Sequence, residues 1–208
     1  MKSKLFLIII FGIFCQSASA EWTTQSFFDF LKKKYGNINT VSMDFWNTDI
    51  TNLKGSLVAK KGGFYKIDFN YRQMLSDGQY IYNYSKRNNK IVKSKSGAIP
   101  DNFSLESVMF SFTNDYNPSQ LETLKNKSGG IEYVLTLLPK DEKYKKLGIT
   151  SIQLWFDLDK IILTGVTIMG GSHYQHWLIN NLKINPELPA NSFTFLQPKG
   201  VELIDLTE

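Results

Sequence analysis

The chain has 208 residues, a formal net charge of +5 and a single cysteine. This length is enough to bury a core without disulfides, and one cysteine excludes both a disulfide framework and a metal site built from several thiolates. The excess positive charge is modest and its lysines are scattered in short clusters, which argues against nucleic acid as a partner and is compatible with acidic headgroups or acidic protein surfaces.

The N-terminus has the pattern of a secretory signal peptide. Two lysines precede the apolar run Leu5–Phe14, and small residues follow at Ala18 and Ala20, the positions that a signal peptidase recognises. The apolar run is too short to remain in a membrane as an anchor. We therefore expect residues 1–20 to be removed and the rest of the chain to be exported.

The single cysteine, Cys15, lies inside this leader. It follows Ile13-Phe14 rather than the small residues of a lipoprotein signal, so we expect an exported protein without a lipid anchor and without thiol chemistry. Residues 21–208 contain no linker rich in proline, glycine or serine, no repeat and no second apolar span. One domain is the economical prediction for this region.

The first predicted elements are one helix followed by consecutive antiparallel strands. Closely spaced apolar residues predict a helix over Trp22–Lys34, which ends at Gly36. Alternation of apolar and polar residues then predicts strands, and these are Val41–Trp46, Leu53–Ala59 and, later in the chain, Ile91-Val92.

The stretch Phe64–Tyr84 carries apolar residues, most of them aromatic, at alternate positions on either side of a predicted turn at Ser76–Gln79. On one strand these are Tyr65, Ile67, Phe69 and Tyr71, and on the next they are Tyr80, Tyr82 and Tyr84. We expect two neighbouring strands that present their rings from the same face. Because an ordinary core prefers Leu, Ile and Val, the rings favour the wall of a cavity for an apolar ligand, although a tyrosine-rich sheet on an ordinary core fits the same pattern.

Two short helices are predicted in the middle of the chain. Phe103–Phe112 is very apolar, and Asn117-Pro118 is expected to begin a second helix with Leu121 and Leu124 spaced three residues apart. These helices could plug the open end of a curved sheet or pack as ordinary helices of an α+β core. The sheet then resumes in predicted strands at Ile131–Leu137, Ile152–Leu158, Ile161–Met169, His173–Asn180 and Phe193–Phe195.

No catalytic constellation is evident from the spacing of polar residues. His173 and His176 are the only histidines, and on a strand they point to opposite faces, which disfavours a zinc pair. Asp157 and Asp159 have the character of turn residues. The chain contains no nucleophile elbow and no phosphate-binding loop, so nothing in the sequence nominates an enzyme, a metal or a cofactor.

Four segments, taken in order, are similar to motifs of one known family. Val41–Asn47 is similar to an F-x-A-x-F-x-Q strand, and Gly55–Ile67 is similar to a G-x-L-x-x-K-R-P segment followed by an aromatic strand. Ser76–Gln79 is similar to an S-D-G-K turn, and Phe193–Val201 is similar to a closing motif. Together they resemble the periplasmic outer-membrane lipoprotein carrier family, LolA, over nearly all of the chain that follows the leader.

The resemblance implies an α+β fold: a single-domain, strongly curved antiparallel sheet that forms an unclosed barrel, with helices covering its open mouth. It implies a periplasmic carrier, expected to be monomeric and without a cofactor. The carrier would take acylated lipoproteins from an ATP-driven inner-membrane exporter and pass them to an outer-membrane receptor. Two other function classes remain open, a lipid- or lipoprotein-sensing module on the same fold and a periplasmic enzyme that acts on lipid.

On such a fold, we expect the acyl chains to contact the inner wall and the lid, at Tyr65, Ile67, Phe69, Tyr82, Tyr84, Phe103, Met109, Phe110 and Phe156. The resemblance also implies a latch between the sheet and the lid helix, because the family's arginine falls on Lys61 and its proline on Gly62. Lys61 keeps the charge but lacks the planar fork of arginine, which predicts a looser lid.

Overall fold

The computed structural model describes residues 22–50, 53–96, 105–126, 129–146, 148–170 and 173–207. The predicted signal peptide, including Cys15, and the predicted site residue Phe103 lie outside these described residues. Among the described residues, no helix has both the length and the apolar character needed to cross a membrane.

The strands are β1 (Thr40–Asn47), β2 (Lys54–Lys60), β3 (Phe64–Phe69), β4 (Arg72–Asp77), β5 (Tyr80–Ser85), β6 (Lys90–Lys95), β7 (Tyr116–Lys125), β8 (Ile131–Pro139), β9 (Ser151–Asp157), β10 (Leu163–Gly170), β11 (His173–Ile184) and β12 (Glu202–Asp205). They form one twelve-stranded sheet in the order β12-β6-β5-β4-β3-β2-β1-β11-β10-β9-β8-β7. Only the β12–β6 pair is parallel, and the sheet stays unclosed because β12 and β7 are its two edges. The predicted class, a strongly curved and unclosed antiparallel sheet combined with helices, is confirmed.

Within the described ranges, three helices accompany the sheet: α1 (Thr24–Tyr35), α2 (Leu105–Asp115) and α3 (Glu142–Lys146). Helix α1 begins with a capping box, in which the Ser26 backbone N–H donates to Thr23 Oγ1 over 3.1 Å and the Thr23 backbone N–H donates to Ser26 Oγ over 3.0 Å. These bonds satisfy two N–H groups that would otherwise lack a partner at the helix start. The predicted first helix is therefore confirmed to within two residues at its start and one at its end.

Helix α1 packs on the face of the sheet that we call the inner face. Phe27, fully buried, lies with its ring centre 5.1 Å from that of Tyr133 on β8 and 5.6 Å from that of Phe156 on β9. Tyr35, near the end of the helix, makes an edge contact with Phe112 of α2 at 6.1 Å. The main core thus lies between α1, α2 and the inner face of the sheet.

The predicted helix after Asn117-Pro118 is wrong, since this segment is strand β7. It pairs with β8 from Tyr116 opposite Pro139 to Lys125 opposite Ile131, with an irregularity after Pro118. A proline is tolerated here because β7 is an edge strand, where one missing N–H disrupts no second ladder. The three-residue spacing of Leu121 and Leu124 was too short a pattern to distinguish a helix from an edge strand.

The region 64–84 contains three strands rather than the two expected. An additional turn at Asn70-Tyr71 separates β3 from β4, so β4 lies between β3 and β5. Cross-strand partners share a face; Tyr65 is opposite Ser76, and Ser76 is opposite Ile81. Tyr80, Tyr82 and Tyr84 therefore lie on the opposite, outer face, and the predicted continuous row of rings on one face is wrong.

The chain after β11 crosses this outer face, which explains the rings found there. Phe193 packs against Phe64 at 5.8 Å, and Phe195 stacks on Tyr82 with a centroid distance of 4.2 Å. The predicted strand at Phe193–Phe195 is absent, and the last strand is β12 at Glu202–Asp205. The aromatic residues of β5 thus serve a second, outer packing layer.

Candidate ligand-binding site

The inner face differs between the two halves of the sheet. On β8 and β9, inner residues such as Leu135, Leu137 and Leu154 are fully buried beneath the helices. On β3 to β6, the inner apolar residues are only half-buried, and we call them the inner apolar row: Tyr65, Ile67, Phe69, Met74, Ile81 and Val92. The inner apolar row is thus a partly accessible apolar surface that spans four adjacent strands.

A chain of aromatic contacts joins the inner apolar row to the core. Phe69 lies 5.4 Å from Phe45 on β1, which lies 5.6 Å from Trp177 on β11. At the other end, Phe69 stacks on Tyr71 at 6.1 Å, and Tyr71 is 49% exposed. Aromatic rings supply contact area without demanding one ligand shape, so this arrangement suits a flexible apolar ligand.

The predicted acyl-binding residues fall into separate groups. Tyr65, Ile67 and Phe69 share the inner face of β3, and Phe110 on α2 is half-buried. Met109 and Phe156 are instead 3% and 1% exposed, as parts of the packed core, so a ligand could reach them only if a helix moved.

Tyr82 and Tyr84 do not line the inner face with the other predicted site residues. Their cross-strand partners on β4 are Leu75 and Gln73, which alternate with the inner residues Met74 and Ser76. The expectation failed because the direction of a side chain depends on the number of residues in the intervening strand and turns. Met74, Ile81 and Val92, which the sequence prediction missed, occupy the inner positions on these strands.

Lys61 lies beside a pocket of about 190 Å³ at the junction of the β2–β3 hairpin with the ends of α1 and α2. Six of its lining residues are Lys32, Tyr35, Ile38, Lys61, Phe110 and Asn114. The backbone N–H of Lys61 donates to the Asn39 carbonyl over 2.8 Å, which fixes the hairpin against the end of α1. The predicted latch residue is therefore next to α2, although the described residues contain no hydrogen bond from its ammonium group, and the latch stays a prediction.

The conformation of the β2–β3 turn explains why glycine follows Lys61, where the resembled motif has proline. Gly62 and Gly63 have φ values of +101° and +82°. Proline is fixed near −65° and cannot adopt this conformation, whereas glycine adopts it without steric cost. Glycine at position 62, where the resemblance implies a proline, is therefore required by the shape of this turn.

The Tyr35 hydroxyl beside the pocket stays protonated. Burial raises the pKa of Tyr35 to about 12, and its hydroxyl donates to the Ile161 carbonyl over 3.2 Å. Tyr35 is therefore neutral at physiological pH. Lys34, the last lysine of α1, turns away from the pocket and donates to the Lys160 and Ile161 carbonyls over 2.9 and 2.6 Å.

A buried polar network on the outer face involves His176. The indole N–H of Trp155 donates to Thr167 Oγ1 over 2.8 Å, and the same oxygen lies 2.7 Å from His176 Nδ1. Because an indole N–H can only donate, Thr167 Oγ1 accepts from Trp155, and the same hydroxyl is hydrogen-bonded to His176 Nδ1. Within the described ranges, no three metal-binding side chains of the His, Cys, Asp or Glu type converge.

The unclosed antiparallel sheet, with helices packed on its inner face, is the architecture that the sequence resemblance implied. No family model matches the chain. An uncharacterized protein of Methanocaldococcus jannaschii is 26% identical over 210 residues, which cover 96% of this chain. This chain spans 59% of the length of that relative.

Solved structures are similar to this chain at low sequence identity. An uncharacterized conserved protein from Thermus thermophilus is 11% identical and has a TM-score of 0.55, covering 88% of this chain and 99% of its own. A putative outer membrane lipoprotein-sorting protein domain from Vibrio parahaemolyticus is 12% identical, with a TM-score of 0.44 and coverages of 83% and 97%. A LolA superfamily protein from Nitrosomonas europaea is 12% identical, with a TM-score of 0.42 and coverages of 84% and 99%. The last two likenesses are too distant to carry a conclusion.

Proposed function

We propose that the protein is a periplasmic carrier that binds the acyl chains of lipoproteins and delivers them to an outer-membrane receptor. The observation that carries this proposal is the inner apolar row, where six apolar residues on four adjacent strands stay half-buried beside a tightly packed core. A closed globular core would bury such residues fully, because each exposed methylene forfeits hydrophobic stabilisation.

The degree of burial matters for release. Complete burial of one methylene is worth roughly 0.8 kcal/mol, so complete burial of several long acyl chains would hold a lipoprotein by tens of kcal/mol. A carrier needs weaker binding, and a half-buried surface provides it. Loading would draw its energy from an ATP-driven exporter in the inner membrane, and the accepting partner would be the outer-membrane receptor.

Helix α2 is the part of the cover that we propose to move. Its buried residues Val108, Met109 and Phe112 contact the core, while Phe110 faces the pocket beside Lys61. Displacement of α2 would expose Met109 and lengthen the apolar surface offered by the inner row. We propose that Lys61, which lines the same pocket as Phe110, holds the helix when no ligand is bound.

The carrier proposal predicts saturable binding of a fluorescent fatty acid, displaced by a triacylated lipopeptide. Ile81→Glu, on the inner face of β5, should weaken this binding by roughly tenfold or more, because a carboxylate loses hydration against an acyl chain. Leu178→Glu is the matched control, since Leu178 is also half-buried but lies on the outer face opposite Trp46. Fluorescence titration of both variants measures the effect.

Three outcomes, from this titration and from assays of lipoprotein transfer and lipid hydrolysis, separate the function classes. Equal weakening by Ile81→Glu and Leu178→Glu, or no saturable binding at all, would contradict the inner site. Binding without transfer of a lipoprotein to outer-membrane vesicles would favour the sensing module. Hydrolysis of the bound lipid, seen as release of free fatty acid, would instead favour the enzyme.

Export predicts a defined N-terminus. We expect the protein recovered from the periplasm to begin at Glu21, because cleavage after Ala20 follows the small-residue pattern of Ala18 and Ala20. Intact-mass measurement together with N-terminal sequencing checks this result. An acylated Cys15 at the N-terminus would contradict the proposal of an unanchored carrier.

A further inference from the structure

The pocket beside Lys61 combines a buried apolar floor with a basic edge. Tyr35 and Ile38 are 5% and 3% exposed, and Phe110 adds a half-buried ring from α2. Lys61 and Lys32, both exposed, stand at its edge. Its volume of about 190 Å³ is below the range of about 300–1,000 Å³ that holds a whole drug-sized ligand, so it suits one end of a longer molecule.

The described lining of this pocket contains two lysines and no acidic residue. Lys61 takes part in none of the ion pairs found among the described residues. Lys32 Nζ lies 3.1 Å from Asp29 Oδ1, but this pair joins exposed side chains on the surface of α1. Exposed pairs of this kind contribute only about 0–1 kcal/mol, so Lys32 can turn toward an anion at little cost.

The C-terminal ends of two helices near the pocket partly offset the positive charge of its lysines. The C-terminus of a helix carries about half a negative charge, and both α1 and α2 end here. The last turn of α1 alone contains Lys32, Lys33 and Lys34, and the hairpin contributes Lys60 and Lys61. Of these lysines, only Lys32 and Lys61 line the pocket. Lys61 forms none of the ion pairs found among the described residues, so its full positive charge is available to an anion and exceeds the half charge of either helix end.

We propose that this pocket binds the anionic headgroup, a phosphate or a carboxylate, of a single-chain or double-chain lipid. Lys61 is the principal contact and Lys32 the second. This inference rests on the proposed function in one respect, because the alkyl part of the lipid would lie along the inner apolar row. It extends the ligands of the carrier from the neutral acylated end of a lipoprotein to free acidic lipids.

The test compares lipids that differ only in the headgroup charge. Lysophosphatidic acid and the monoacylglycerol with the same acyl chain compete separately against a fluorescent fatty-acid methyl ester, for the wild type and for Lys61→Met. We expect the wild type to bind the anionic lipid about tenfold more tightly than the neutral one at low salt, as a charge-assisted contact allows. Lys61→Met should lose most of this preference, measured as the ratio of the two affinities. A looser hold on α2 would change the affinity for both lipids alike and would leave that ratio unaffected.

Lys33→Met is the matched control, because Lys33 is an equally exposed lysine of α1 that does not line the pocket, and it should retain the preference. Equal affinity of the wild type for both lipids, or equal behaviour of the two variants, would overturn the anion site while leaving the acyl site intact. Failure of both lipids to bind would remove the proposed function and this inference together. Displacement of the anionic lipid, but not of the neutral one, by inorganic phosphate would support the site and identify the phosphate group as sufficient.

Discussion

Phe27→Ala is expected to lower the free energy of unfolding by about 3–5 kcal/mol, the usual cost of removing a buried phenylalanine from a packed core. Phe27 is 0% exposed and joins α1 to β8 and β9 through its contacts with Tyr133 and Phe156. Its removal leaves a cavity between the helix and the sheet. Thermal and urea unfolding measure the effect, and the melting temperature should fall by roughly 10 °C or more.

The matched control for this prediction is Phe195→Ala. Phe195 is half-buried and stacks on Tyr82 on the outer face, outside the main core. Its loss should cost about 1 kcal/mol, the worth of one aromatic pair. If the two variants unfold alike, α1 is not anchored by Phe27, and the view of α1 as the fixed part of the cover must be abandoned.

The second large effect concerns transfer rather than folding. Tyr65→Glu should reduce lipoprotein transfer to outer-membrane fractions by roughly tenfold or more, while the melting temperature stays within a few degrees of the wild type. Tyr65 is half-buried on the inner face of β3, opposite Ala59 and Ser76. A carboxylate at such a site keeps part of its hydration, so the fold tolerates it, but it faces the surface proposed for acyl chains.

Tyr84→Glu makes the same chemical change on the outer face of β5, where no acyl chain is proposed to lie. It should transfer lipoproteins normally. If Tyr65→Glu simply unfolds, then Tyr65 belongs to a closed core, and if it transfers as well as Tyr84→Glu, the inner apolar row is not the carrier surface. Either result would contradict the proposed site.

Several elements could be predicted from the sequence because their signals are local. The spacing of Phe27, Phe28 and Leu31 predicts α1, and the alternation through Tyr65, Ile67 and Phe69 predicts β3, since both patterns repeat within a few residues. The order of the family-like motifs predicted the unclosed sheet as a whole. In the candidate site, the inward direction of the β3 residues followed from the same alternation.

The tertiary structure decided which face the other side chains occupy and what covers them. The turn at Asn70-Tyr71 inserts β4 between β3 and β5. As a result, the side chains of Tyr82 and Tyr84 point to the outer face, because the face that a side chain occupies depends on every residue between the two strands. The segment around Phe195, far along the chain, covers Tyr82, while α1 buries Phe156.

The sequence by itself determined the helix, most of the strands and the aromatic character of the centre of the chain. The tertiary structure decided that β7 is an edge strand and that Lys61 meets the ends of α1 and α2 at one pocket. The physical reason is that hydrophobic periodicity reports only on neighbours in the chain. Contacts between residues that are tens of positions apart are fixed by how the sheet curves and by which edges remain unpaired.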